Sequence, residues 1–156
     1  MINVLTTVTL LSGMPQQLIK KLQKVQNCSA RLIFKTSKHT HASPLLTKLH
    51  WLPVAQRIEY KVSSMCYDVV SETAPPYLSD LLHLYIPSCS LRSSADTHTF
   101  QVPKWKKKFQ GQCPFSHLGP VTWNKLPYSV RCAATKSQFK TQFKTTLFLS
   151  AHVPNS

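Results

Sequence analysis

Between Pro53 and the Pro75-Pro76 pair the chain contains neither proline nor glycine, and this stretch limits what the rest can fold around. Proline suits the first position of a helix, where a missing N–H goes unused, and breaks a helix interior. Inside these limits Val54, Ile58, Val62, Met65 and Val69 recur at the spacing that gathers side chains on one face of a helix. Tyr60 and Tyr67 form a second stripe, so the pattern predicts a central helix packed on two sides. After the corner at Pro75-Pro76, Tyr77, Leu78, Leu81, Leu82 and Tyr85 predict a shorter apolar helix that ends before Pro87.

The other periodic segments are helical as well. From Pro15 to Lys35, Leu18, Leu22, Val25, Leu32 and Ile33 share one side and are expected to face the core, with Lys20, Lys24, Arg31 and Lys35 on the other. Ser43 and Pro44 read as an N-cap and first turn for a short helix over Leu45 to Leu49. Phe115, Leu118, Val121 and Trp123 predict a short helix before Leu126-Pro127. Phe139, Phe143 and Leu147 place a last helix over Thr135 to Leu149, with Lys136, Lys140 and Lys144 beside them. The alternation His98, Phe100, Val102 and the stretch Trp105 to Gln110 predict a hairpin around Pro103. The expected fold is therefore mainly α, a small helical bundle with one short β-hairpin near residues 98–110. Residues 1–12 form an unpatterned lead-in, 13–150 one domain and 151–156 a tail.

Charge narrows the function. The chain carries 19 Lys and Arg against 5 Asp and Glu, a formal net charge of +14. All five acids (Glu59, Asp68, Glu72, Asp80, Asp96) lie between residues 59 and 96, leaving both flanks without one. Such a field favours polyanions, RNA or DNA foremost, because each neutralised phosphate releases a counterion. Solvated faces normally mix Glu with Lys, and the basic side of the first helix does not; a solvated face and a phosphate-binding face both remain open for it. Lys104, Trp105, Lys106, Lys107 and Lys108 surround an indole with cations, which suits phosphate contact with base stacking; an edge strand guarded by lysines is the alternative. Trp51 and Trp123, each close to a Leu-Pro pair, read as core anchors.

Five widely spaced cysteines without a C-x-x-C pair suggest neither a disulfide framework nor a zinc ribbon, and are expected to be buried thiols in a reducing, intracellular compartment. His39 and His41, with His50 near, lack a Cys or carboxylate close in sequence to complete a metal site. No metal, cofactor or membrane partner is expected. The apolar run Ile2 to Leu11 lacks a basic n-region and is too short to span a bilayer.

Six phrases in order, LIKKLQKVQNCSARLIF, PLLTKLHWLPVAQRIEYKV, APPYLSDLL, PSCSLRSS, VTWNKLP and FKTQFKTTLF, resemble the C-terminal end of the reverse transcriptase polyprotein of non-LTR, LINE-type retrotransposons. The resemblance runs from about Gly13 to Phe148; Gln112 to Pro120 departs from the family's pattern and the first dozen residues do not fit it. It implies a mostly helical region after the polymerase palm, in or near the thumb and its C-terminal extension, that contacts template and primer. The chain has no adjacent Asp-Asp pair of the kind that holds two catalytic metal ions. The expectation is a truncated, catalytically silent copy that grips RNA or DNA through Lys20, Lys24, Arg31, Lys35, Lys104 to Lys108 with Trp105, and Lys136, Lys140 and Lys144. The alternative is a vestigial or structural product that docked on the missing palm domain, for which uncovered apolar surface is expected.

Overall fold

The helix expected between the prolines is present, and the others assemble on it. A computed structural model describes residues 15–86, 98–104 and 114–152. Among them are seven helices: α1 (Gln16–Ile33), α2 (Ser43–Lys48), α3 (Val54–Val70), α4 (Pro76–Ser79), α5 (Phe115–Asn124), α6 (Tyr128–Arg131) and α7 (Lys136–His152). The architecture is a helical bundle in which α3 packs against α5, α7 and α1, while α2 lies on α1 and α6 on α7. No helix among the described residues is long and apolar enough to cross a membrane.

Both stripes of α3 are used. Val62, Met65 and Cys66 are buried together with Tyr67 from the second stripe, and Ile58 and Tyr60 pack at the edge. Tyr67 stacks on Phe139 at 4.5 Å, and Trp123, wholly buried, lies 5.8 Å from Phe139, 6.5 Å from Tyr67 and 6.0 Å from Phe100. Phe139 continues to Phe143 and Phe143 to Tyr60, so one chain of rings joins α3, α5 and α7. The approach of α5 to α3 depends on Gly119: a Cβ there would stand 3.2 Å from Cys66 Sγ and 3.2 Å from Leu82 Cδ2.

Three helices end alike without glycine. After α1, α2 and α3 the chain turns at Lys35, His50 and Glu72, with φ of 50°, 52° and 55°. In each case that residue's N–H and the next reach back to the last turn: Lys35 to the Leu32 carbonyl and Thr36 to Arg31, His50 to Thr47 and Trp51 to Leu46, Glu72 to Val69 and Thr73 to Asp68. This Schellman pairing satisfies the terminal carbonyls but holds a side chain in the left-handed region that glycine occupies more easily. It stops α3 at Val70, well before Pro75.

The structure corrects several expectations. The helix after the corner is the single turn α4; Leu78 and Leu82 are buried, but residues 82–86 do not continue it. The expected hairpin over residues 98–110 is not seen, and no strand occurs among the described residues. Phe100 forms an isolated antiparallel bridge with Leu84, flanked by Tyr85 N–H donating to the Thr99 carbonyl and Gln101 N–H to that of His83, both at 2.8 Å. The Asn124 side chain holds Phe100 from the other side through its N–H and C=O, at 3.0 and 2.8 Å. Alternation marks a segment with one buried face without naming its partner, and here the partner lies upstream. The hairpin's second half, Trp105 to Gln110, lies outside the described residues.

The orientation of α1 is the largest difference. Leu18, Leu22, Val25, Leu32 and Ile33, expected in the core, are exposed, Val25 to 64% and Leu32 to 78%. The helix instead buries Gln26 and Ala30. Gln23 Oε1 accepts the Val54 N–H at 2.8 Å and Gln26 Nε2 donates to the Leu52 carbonyl at 2.9 Å, so α1 fastens the lead-in to α3. The first turn of a helix has N–H groups without internal partners, and Pro53 carries no capping side chain, so a neighbouring glutamine fills the need.

Two predictions follow from the packing. Trp123→Ala should lower the unfolding free energy by about 3–5 kcal/mol in urea titration, and Trp51→Ala, at a half-buried position, by clearly less. Glu72→Gly should raise stability by about 0.5–1 kcal/mol in the same assay, by relieving the left-handed turn.

Candidate nucleic-acid interface

The candidate cations occupy different surroundings. Lys20 and Lys24 are exposed on α1, and Lys35 is exposed in the turn beyond it. Arg31 is partly buried and its Nε donates to the Thr40 carbonyl at 2.9 Å, tying the α1–α2 connection to the helix. Lys104 is exposed at the end of the segment held by Asn124; Trp105, Lys106, Lys107 and Lys108 lie outside the described residues. On α7, Lys136, Lys140 and Lys144 are all exposed, and Lys136 is paired with Asp68 of α3 at 2.7 Å.

One candidate enters a built cavity. Lys144 joins Arg57 and Lys61 of α3 around a cleft of about 580 Å³, whose other walls are His50, Trp51, Leu52 and Tyr60. Its lining has three cations and no carboxylate. Arg57 and Lys61 lie one helical turn apart on the same face of α3, and the packing of α7 beside α3 brings Lys144 to them. The rings are held from behind: Tyr60 stacks on Phe143 at 5.8 Å with 16° between planes, and His50 on Phe148 at 5.7 Å with 17°. The Trp51 N–H is fixed to the Leu46 carbonyl at 2.9 Å. Burial raises the Tyr60 hydroxyl pKa above its ordinary value, offset in part by Ser64.

No family model, curated protein or solved structure matches this chain.

Glu59 faces a second, smaller cavity of about 240 Å³ with Ile19, Ile58, Val62, Leu118 and Lys125. Burial raises its pKa, and the charge of Lys125 lowers it in part. Lys20, Lys24, Lys35 and Lys104 do not line the larger cleft, so the sequence's basic segments are not gathered into one site there. His50, Arg57, Tyr60 and Lys61 were missed by the sequence reading; the i, i+4 spacing of Arg57 and Lys61 in the central helix was the available signal.

Trp123 is the core anchor that was expected, its Nε1 donating to the His98 carbonyl at 2.7 Å, whereas Trp51 is half-buried and lines the cleft. A buried Arg131 also serves structure: its Nε donates to the Leu126 carbonyl at 3.1 Å. The thiols divide: Cys66 is buried, with its pKa pushed up by desolvation, while Cys28 and Cys132 are exposed, contrary to expectation. Cys132 Sγ stands 3.7 Å from His98 Nδ1. Among the described residues no group of three or more His, Cys, Asp or Glu can hold a metal ion.

Structural and surface cations should separate on mutation. Arg31→Gln should cost about 1–2 kcal/mol of unfolding free energy, because the Thr40 carbonyl loses a charge-assisted donor; Lys24→Gln should change it by no more than about 0.5 kcal/mol.

Proposed function

We propose that the chain is a catalytically silent nucleic-acid-binding fragment of a LINE-type retrotransposon reverse transcriptase, from the region after the palm, that contacts the template and primer backbone through basic faces. The cleft in which Arg57, Lys61 and Lys144 converge without a carboxylate carries this reading. Exposed Lys20, Lys24, Lys104 and Lys140 extend the cationic surface, and a long-range field of this sign draws polyanions to it. Among the described residues no paired carboxylates suit two-metal phosphoryl chemistry: Asp68 is paired with Lys136, and Glu59 lies beside Lys125 in a separate cavity. Binding of this kind is sequence-tolerant, and it acts in the nucleus or cytoplasm, where its polyanion is found.

A second reading is favoured by one observation. The exposed row Leu18, Leu22, Val25 and Leu32 on α1 is an apolar helix face of the kind that covers a neighbouring domain. On this reading the chain is a structural or vestigial product that docked on a polymerase palm and has no independent function.

Fluorescence anisotropy with a labelled oligonucleotide over a salt series separates the two. The nucleic-acid reading expects log Kd to rise linearly with log salt, and the slope to fall by about one for each phosphate-contacting Lys changed to Ala. The variant with Lys104, Lys106, Lys107 and Lys108 all changed to Ala tests the contact expected of this basic cluster, and unchanged affinity at low salt would remove it from the site. Absence of binding at low salt would leave the second reading.

A further inference from the structure

We propose that the cleft between α3 and α7 takes an unpaired nucleotide of single-stranded nucleic acid, with its phosphate on Arg57, Lys61 and Lys144 and its base against the rings of His50, Trp51 and Tyr60. The inference rests on the nucleic-acid reading and adds the class of strand and the site.

Three features select a strand whose base is out of the stack. The volume, about 580 Å³, falls within the usual range of small-ligand clefts, so it suits one nucleotide, whereas a duplex would only lie across its mouth. The walls pair cations with aromatic faces, the combination that single-strand grooves use to hold backbone and base together; in a duplex the bases are already stacked and cannot reach those rings. The rings are also set in advance. Phe143 and Phe148 back Tyr60 and His50, and the Gln26 amide holds the Leu52 carbonyl behind the cleft, so little side-chain freedom is lost on binding. A simple phosphate site would need the cations alone.

His50 supplies a clean probe. It occupies the left-handed position after α2, where glycine is the more favourable residue, so His50→Gly removes the ring while keeping the turn. The cations Arg57, Lys61 and Lys144 are exposed and can be changed without emptying the core.

The experiment uses the full chain, with fluorescence anisotropy of labelled twelve-nucleotide oligo-dT, oligo-rU and a duplex of the same length at one salt concentration, and circular dichroism to verify each variant's fold. The expected result is single-strand binding about fivefold or more tighter than duplex binding. His50→Gly should weaken the single strands about threefold or more and leave the duplex unchanged. The triple variant Arg57→Gln, Lys61→Gln, Lys144→Gln should lose about tenfold or more on the single strands. Equal binding of single strand and duplex, both insensitive to His50→Gly, would overturn the cleft proposal while the general nucleic-acid reading stands. Failure to bind any oligonucleotide at low salt would remove both. Cleft-dependent binding to phosphatidylserine vesicles without oligonucleotide binding would overturn the proposal in favour of a lipid surface.

Discussion

The stack of aromatic rings centred on Trp123 is the constraint on which the other arrangements depend. Phe100, Trp123, Tyr67, Phe139, Phe143 and Tyr60 follow one another at centroid distances of 4.5 to 6.5 Å and come from α3, α5, α7 and the segment around Phe100. Each such pair contributes about 0.5–1.5 kcal/mol beyond the area it buries. The polar ends of two of the rings are satisfied as well: Trp123 donates to the His98 carbonyl and the Tyr67 hydroxyl to that of Ala133. The stack fixes α7 beside α3. That placement, in turn, sets Lys144 beside Arg57 and Lys61, so the candidate site follows from a packing requirement of the ring stack, of which Tyr60 alone lines the cleft.

A different interaction holds α1. Its contact with the bundle is made by Gln23, Gln26 and Ala30, small or amide side chains that let the helix approach the lead-in of α3 and supply partners to backbone groups proline leaves without a cap. The leucine face is left outside. Burying four large apolar side chains is worth about 1.5–3 kcal/mol each, so a domain that retains such a row on its surface has kept a face suited to a partner. This row and the basic cleft are separate features, and each supports a different one of the two proposed readings.

The electrostatics gain meaning from the same placement. In the sequence Lys144 belongs to a repeating lysine row on the last helix; in the structure Lys136 is paired with Asp68 while Lys144 lines a cleft with two other cations and three rings. Arg31 and Arg131 show the opposite use of positive charge, since both donate to backbone carbonyls and hold turns together. A count of basic residues does not distinguish these roles, because charge is a property of the residue and a partner is a property of the fold.

The mainly helical class, the start of the central helix after Pro53 and the buried triad Phe139, Phe143 and Leu147 were legible in the sequence, because proline positions and helical periodicity are local quantities that act over a few residues. The skewed distribution of acids was legible too. Periodicity could show that α1 has an apolar face and residues 98–102 a buried side, but not which surface covers either, and so it misassigned both. The ends of α1, α2 and α3 at Lys35, His50 and Glu72 were hidden because the left-handed residue there is not glycine. The cleft was hidden for a related reason: its walls come from the α2–α3 turn and α3 on one side and from α7, far along the chain, on the other, and packing such as that of Tyr60 on Phe143 decides that they meet.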